Sequence, residues 1–165
     1  MRVPIRKSEK YTYLAVDPNM TQEKFDALSA QLSRMKKSRP ALAKEVARLA
    51  ENGDFSENAE YQIAKGKLRG LNQRMLEIES HLNKASIIAP GSFGGMVRMG
   101  SAVVVEVNGQ QKTFRILGSS ETKPEAGIIS HQSPIGMALI GKVAGDDAIV
   151  KTKKGETLYR VVSVA

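Results

Sequence analysis

Apolar side chains in the first half of the chain recur at alternating steps of three and four residues. One series runs from Phe25 to Leu49, with a single position taken by the charged Arg39. A second series runs from Tyr61 to Ala85. This spacing is typical of the buried seam of a coiled coil. The sequence therefore predicts two long helices, with a break between them at residues 52–54.

The two series match each other when the chain is folded back on itself. Leu49 then faces Tyr61, Leu28 faces Leu82, and every facing pair of residue numbers adds to 110. The fold point is therefore expected at about residue 55. We predict an antiparallel coiled-coil hairpin over residues 20–85, about 45 Å long at a rise of 1.5 Å per residue.

Three residues within the predicted arms are unfavourable for a helix. Pro40 cannot donate a helix hydrogen bond, so we expect a kink or break at residues 38–40. Gly66 and Gly70 should weaken the second arm by up to about 1 kcal/mol each relative to alanine. Packing of the seam is expected to outweigh these effects.

The pattern changes after residue 85. Residues 86–95 hold one proline and three glycines and are predicted to form a linker. The β-branched run Ala102–Val107 precedes Asn108-Gly109, a strong hairpin signal, and residues 113–117 would form the return strand. Further strands are expected at residues 128–129, 147–152 and 157–164.

A short helix is expected at residues 134–140, with Ser133 as its N-cap and Pro134 at its first position. The predicted fold class is α+β. An N-terminal arm (residues 1–19) would precede the hairpin, and a small β-sheet domain with this short helix (residues 96–165) would follow the linker.

Composition narrows the class of protein. The chain has 165 residues and no cysteine, which excludes disulfides and thiolate metal sites. We find neither a signal peptide nor an apolar run of spanning length, and we expect a cytoplasmic protein with no membrane partner. The formal net charge of +8 favours a polyanionic partner such as nucleic acid, although it is also compatible with simple solubility.

The predicted turn carries two carboxylates, Asp54 and Glu57. Their spacing fits a capping box for the second helix, with Asp54 at the N-cap and Glu57 at the third helical position. Two nearby carboxylates can also bind a divalent cation or position a water. Both interpretations remain open, and they are compatible with each other.

The tip could not complete a catalytic site alone. It holds no histidine, cysteine or lysine, and a convex hairpin end offers no pocket that excludes water. If the tip performs chemistry, a partner must supply the remaining groups. The residues alone therefore indicate half of an active site carried on a stalk.

Basic side chains line both arms of the hairpin. They form either a solvated helix face or a surface that contacts a nucleic-acid backbone. The two histidines, His81 and His131, are isolated in sequence and are expected to have structural or surface roles. The basic residues proposed for contact are Arg34, Lys37, Lys44 and Arg48.

The tip sequence resembles that of a known family. Gly53-Asp54-x-x-Glu57-Asn58-Ala59-Glu60-Tyr61 on a helical hairpin is similar to the Gre transcript cleavage factors of bacterial transcription, GreA and GreB. Arg39-Pro40 and Ser133-Pro134-Ile135 also match that family. The resemblance extends over residues 21–165.

The resemblance implies a fold and a mechanism. The C-terminal domain would be FKBP-like and would dock on bacterial RNA polymerase at the secondary channel, with Ser133 and Pro134 in the docking loop. The hairpin would enter the channel and bring Asp54 and Glu57 to the polymerase active site as catalytic residues. Asp54 would share a Mg²⁺ ion there, and Glu57 would act on the water or on tip geometry. The backtracked 3′ end of the nascent RNA would then be cut, and elongation would resume.

On this interpretation the protein is not itself an enzyme, because it stimulates the polymerase's own cleavage activity. It would need no cofactor beyond the Mg²⁺ of the polymerase and no small-molecule substrate, and its basic arm residues would guide the extruded RNA. The alternative is a non-catalytic regulator that binds the same channel. That alternative predicts polymerase binding without RNA cleavage.

Overall fold

The computed structural model describes residues 17–51, 58–91, 94–152 and 155–165. Its N-terminal half is a pair of long helices, α1 (Gln22–Ala50) and α2 (Ala59–Asn83). The side chain of Thr21 caps α1 by accepting a hydrogen bond from the backbone N–H of Lys24. The predicted hairpin is confirmed, and its fold point lies outside the described residues.

The seam between α1 and α2 is built as the periodicity predicts. Every apolar seam position from Phe25 to Leu49 and from Tyr61 to Ala85 is buried or half-buried, whereas Arg39 is exposed. Leu28 and Ile78 form a buried cluster with the predicted facing residues around them. Arg39 interrupts this apolar surface and instead donates a hydrogen bond from Nε to the side-chain oxygen of Asn72, at 2.8 Å.

Of the kink or break predicted at residues 38–40, the break is wrong, because α1 runs through Pro40 without interruption. Pro40 removes one backbone donor, so the carbonyl four residues earlier loses its helix partner. That carbonyl belongs to Lys36, and both residues are exposed, so water can solvate it. Nearby, Ser38 Oγ donates to the carbonyl of Met35 at 3.0 Å.

Two short strands close the base of the hairpin. Strand β1 (Asn19–Met20) pairs in parallel with β2 (Ser86–Ile87). Met20 is fully buried and packs with Leu28 and Ile78 at the end of the seam. The segment predicted as a linker therefore begins with a strand, β2, that lies beside the start of α1. The chain enters and leaves the hairpin at the same end.

The C-terminal half is a five-stranded sheet with one short helix. Its strands are β3 (Ala102–Val107), β4 (Gln110–Leu117), β5 (Ile128–Ser130), β6 (Asp147–Thr152) and β7 (Gly155–Val164). They lie in the order β5-β4-β3-β7-β6, and only β4 and β5 pair in parallel. The predicted α+β class is confirmed.

Local signals explain most of the strand boundaries. Asn108 and Gly109 both have positive φ, 52° and 73°, as a two-residue hairpin turn requires. This tight turn lets β4 begin at Gln110, three residues earlier than predicted. The β6–β7 turn includes residues 153–154, which lie outside the described residues.

The sheet curls around an aliphatic core. Helix α3 (Pro134–Leu139) covers one face and contributes the fully buried Leu139. Most of the remaining core side chains are β-branched, which suits a pleated surface. The remaining buried core residues are Val97, Val103, Val105, Ile116, Ile129, Ala148 and Val161. Within the described ranges, neither long helix is apolar enough to cross a bilayer.

Candidate functional site

The tip of the hairpin is the first candidate site. Asp54 and Glu57 lie in the 52–57 segment, outside the described residues. The flanking helices fix where this segment is attached, between Ala50 and Ala59. Helix α1 has 29 residues, so the attachment point lies about 43 Å from the base at 1.5 Å per residue.

The capping-box interpretation of the tip is wrong for α2. The N-cap of α2 is Asn58, whose side-chain oxygen accepts a hydrogen bond from the backbone N–H of Tyr61 at 3.1 Å. The acidic residue of the first helical turn is Glu60, and Glu57 precedes the helix. Because Asn58 provides the cap, neither Asp54 nor Glu57 is required to cap α2.

The basic residues proposed for RNA contact share one side of α1. Arg34, Lys37, Lys44 and Arg48 are all exposed, and their spacings of three, seven and four residues place them opposite the seam. Arg48 forms an ion pair with Glu45 at 2.7 Å, and its hydrogen bond lowers the pKa of that carboxyl. The other three form no ion pair with a residue that the structure describes.

The proposed docking loop is rigidly built. Ser133 caps α3 by accepting from the Gly136 N–H at 3.0 Å, and its hydroxyl donates to the Ser130 carbonyl at 2.7 Å. Gly136 lies so close to Ser130 that a Cβ at this position would overlap the same carbonyl oxygen. Pro134 occupies the first helical position and is exposed. The predicted cap is therefore confirmed, and it holds Pro134 at the surface.

Exposed apolar side chains follow this loop. They were not predicted from the sequence. Met137 is 62% exposed and Ile140 is 39% exposed. Met96 and Val143, also exposed, pair in an isolated β-bridge just beyond α3. Exposed apolar side chains next to the proposed docking loop make this face a candidate protein-binding surface. We refer to Pro134, Met137, Ile140, Met96 and Val143 as the α3 surface.

A third cluster joins the hairpin base to the sheet domain. The Asp17 side chain is 4% exposed and lies between the two halves. Its Oδ2 accepts from the backbone N–H of Ser119 at 2.7 Å and lies 3.5 Å from His131 Nδ1. Its Oδ1 accepts from the backbone N–H of Asn19 at 3.0 Å and from the Asn19 side chain at 2.8 Å.

A second carboxylate crosses the same junction in the opposite direction. Glu121, from the sheet domain, accepts from the backbone N–H and the hydroxyl of Thr21, at 2.8 and 2.6 Å. Gly118 packs so closely that a Cβ there would overlap the carbonyl oxygen of Asn19. The partners are separated by about 100 residues in the chain, so no local pattern indicates this junction.

Both histidines lie at this junction, and the Nδ1 of His131 is buried without a hydrogen-bond partner among the described residues. His131 is half-buried beside Asp17, and His81 Nε2 lies 3.3 Å from the Asp17 carbonyl oxygen. In the parts of the chain that the structure describes, no three His, Asp or Glu side chains are grouped closely enough to hold a metal ion.

Comparisons with known proteins identify relatives over most of the chain. The family model described as "Transcription elongation factor, N-terminal" matches residues 19–87, and "Transcription elongation factor, GreA/GreB, C-term" matches residues 92–165. Transcription elongation factor GreA of Cereibacter sphaeroides is 40% identical over 148 residues, covering 88% of this chain and 98% of that protein. GreA of Thermomicrobium roseum is 36% identical over 148 residues, covering 88% and 95%.

Solved structures give a weaker likeness. The crystal structure of GreA factor homolog 1 (Gfh1) of Thermus thermophilus has 27% sequence identity to this chain. It matches 88% of this chain and 97% of its own, with a TM-score of 0.40.

Proposed function

The chain belongs to the GreA/GreB family of transcription elongation factors, and from this premise we propose that it enters the RNA polymerase secondary channel and stimulates cleavage of backtracked RNA. Family membership confirms the resemblance found in the tip and the docking loop. The observation that supports the finer proposal is the hairpin itself. Its first helix carries the attachment point of the acidic segment about 43 Å from the hairpin base, and the sheet domain beyond that base presents Pro134 at its surface.

The proposed division of labour follows from this arrangement. The α3 surface, together with Ser133, would dock on the polymerase, because it combines a rigid loop with exposed apolar side chains. The stalk would reach through the channel. Because the α3 surface provides the binding, the tip would not need apolar side chains for docking. The protein would then act in the cytoplasm, with the polymerase and the nascent RNA as its partners.

At the tip, Asp54 and Glu57 would supply carboxylate oxygens to a site that the polymerase completes. Asp54 would share a Mg²⁺ ion that belongs to the polymerase, and Glu57 would help to position the attacking water. Because Asn58 caps α2, this role does not compete with the capping of that helix. The protein would thus contribute ligands without being an enzyme or carrying its own cofactor.

The basic side of α1 would guide the extruded RNA. Arg34, Lys37 and Lys44 are exposed on the side opposite the seam, where a phosphate backbone could approach them. Such contacts position RNA without reading its sequence, so cleavage would depend little on the sequence of the extruded RNA.

The decisive experiment uses a purified, backtracked elongation complex with 5′-labelled RNA and Mg²⁺. We expect the wild-type protein to shorten the RNA and to restore elongation when nucleotides are added. Asp54→Asn should lower the cleavage rate at least about tenfold, equivalent to about 1.4 kcal/mol in the barrier, while binding is retained.

The matched control is Glu51→Gln, which removes one exposed carboxylate at the end of α1 and should cleave at the wild-type rate. Binding of the wild-type protein to polymerase without any RNA shortening would reject the cleavage proposal and support the non-catalytic regulator. Full activity of Asp54→Asn would reject the role of that residue.

A further inference from the structure

The buried carboxylate at the domain junction has no role in the function described so far. We infer that Asp17 is a positioning residue, which sets the direction of the stalk relative to the docking domain and so determines where the tip carboxylates arrive. This inference rests on the proposed function for its effect on cleavage. Its structural part, the fixed angle between the two halves, can be measured without polymerase.

The two oxygens of Asp17 serve different halves of the molecule. Oδ1 binds the backbone and side chain of Asn19 at 3.0 and 2.8 Å, which secures the carboxylate to strand β1 of the hairpin base. Oδ2 accepts from the Ser119 N–H at 2.7 Å and lies beside His131, and both residues belong to the sheet domain. One planar group therefore connects the two halves directly.

A single attachment would still allow the stalk to pivot. The Glu121–Thr21 contact provides a second attachment, because this carboxylate holds the N-cap residue of α1 from the other side of the junction. Two separated attachments leave only rotation about the line that joins them. Gly118 adds a steric limit, since its backbone lies against Asn19 with no space for a side chain.

The length of the stalk makes this angle important for the tip. At about 43 Å from the base, a rotation of about one degree moves the tip by about 0.75 Å. Functional groups must be held within about 0.5 Å of their productive positions. A loosened junction would therefore misplace Asp54 and Glu57 although every tip residue is intact.

This role predicts a specific kinetic signature. Docking would use the α3 surface with Ser133, and the contacts of Asp17 with described residues reach His131 but none of these docking residues. Loss of the junction should therefore lower the maximal cleavage rate at saturating factor and leave the half-saturating factor concentration unchanged. A purely structural role would instead lower the fraction of folded protein, without altering the rate per folded molecule.

Two variants test the inference by different means. Asp17→Asn keeps the size of the side chain but replaces one acceptor oxygen with a donor, so the contact to Ser119 or to Asn19 is lost. Gly118→Ala changes no charge and forces the same surfaces apart. The matched control is Asp147→Asn, which removes an exposed carboxylate paired with Arg160 in the sheet domain.

The angle between the stalk and the sheet domain is monitored in the full chain as a distance between two spin labels, measured by pulsed electron spin resonance. Because the chain has no cysteine, Ala47→Cys on the stalk and Lys112→Cys on the sheet provide two unique spin-label sites, both exposed. We expect one narrow distance distribution for the wild type and the control. Both junction variants should give a broader or displaced distribution, with at least a fivefold lower maximal cleavage rate.

The outcomes separate this inference from the proposed function. Unchanged distances and an unchanged maximal rate in both junction variants would overturn the inference, as would a change confined to the half-saturating concentration. If the wild type shows no cleavage, the proposed function fails. The distance distributions would then still decide whether Asp17 fixes the stalk.

Discussion

At the scale of single residues, the protein tolerates a buried charge at Asp17 because the charge is fully hydrogen-bonded. Burial alone would raise the pKa of this carboxyl. The hydrogen bonds from the Ser119 and Asn19 backbones and from the Asn19 side chain outweigh burial, so the pKa lies below its usual 3.8. The ionised form is therefore favoured in the folded state, and its binding energy contributes to stability.

This lowered pKa predicts a pH dependence. The stabilisation is complete above the unfolded-state pKa of about 3.8 and is lost as pH falls through the lower folded-state value. We expect Asp17→Asn to lower the free energy of unfolding by about 2 kcal/mol at pH 7, the usual effect of a charged hydrogen bond. The difference from wild type should shrink below pH 4, as measured by urea unfolding.

The rings of His81 and His131 also lie close to Asp17. The same comparison should therefore be repeated in a His131→Gln background. A difference between Asp17→Asn and wild type that stays constant down to pH 2 would contradict the assignment of the effect to this carboxyl.

The α3 surface supports a second prediction for single residues. Met137 is the most exposed of its large apolar side chains. Met137→Asp should weaken polymerase binding about tenfold, or about 1.4 kcal/mol, because a charge would have to be desolvated on docking. Leu158→Asp is the matched control, since Leu158 is also exposed and lies on β7. Equal loss of affinity in both variants would reject a specific role for the α3 surface.

At the scale of elements, sequence pattern predicted most of the fold because the determining contacts are periodic. The seam from Phe25 to Ala85 is visible in spacing alone, and so are the β3–β4 turn and the Ser133 cap. The break at Pro40 was wrongly predicted because the Lys36 carbonyl, which loses its helix hydrogen bond there, is exposed to water. The sequence alone does not show that exposure. The junction could not be predicted, because Asp17 and Ser119 meet only through tertiary structure.

The glycines of α2 give a prediction for this helix. A Cβ at Gly66 or Gly70 would have no atom within 4 Å, so alanine fits without strain. Gly66→Ala and Gly70→Ala should each stabilise the protein by up to about 1 kcal/mol, because alanine loses less backbone entropy. Thermal unfolding monitored by circular dichroism would measure the gain.

Gly136→Ala in α3 is the contrasting variant. Its new Cβ would overlap the Ser130 carbonyl, so it should destabilise the protein despite the better helix propensity of alanine. If the α2 variants were destabilising as well, propensity would not be the controlling factor at those positions.

At the scale of the whole molecule, the length of the stalk should determine function. Deleting residues 39–45 and 65–71 together removes seven facing residues from each arm and preserves the seam register. The stalk becomes about 10 Å shorter at 1.5 Å per residue. We expect retained polymerase binding and an intact helical fold, with RNA cleavage abolished because the tip no longer reaches the active site.

A deletion of residues 39–45 alone is the control for register, since it leaves the two arms unequal and should lower helix stability. Undiminished cleavage by the matched double deletion would show that reach is not limiting. It would also contradict the proposed placement of Asp54 and Glu57 at the polymerase active site.

The pairing of β1 with β2 also has a consequence for the order in which the molecule is assembled during synthesis. Helices α1 and α2 can pair as soon as both have been synthesised, because their contacts are local. Asn19 can then pair with Ser86 once that residue has left the ribosome. The sheet must wait much longer, because its central strand β3 pairs with β7, up to Val164. The stalk should therefore be finished while the docking domain is still incomplete, so a nascent chain would present its tip before it could bind its partner.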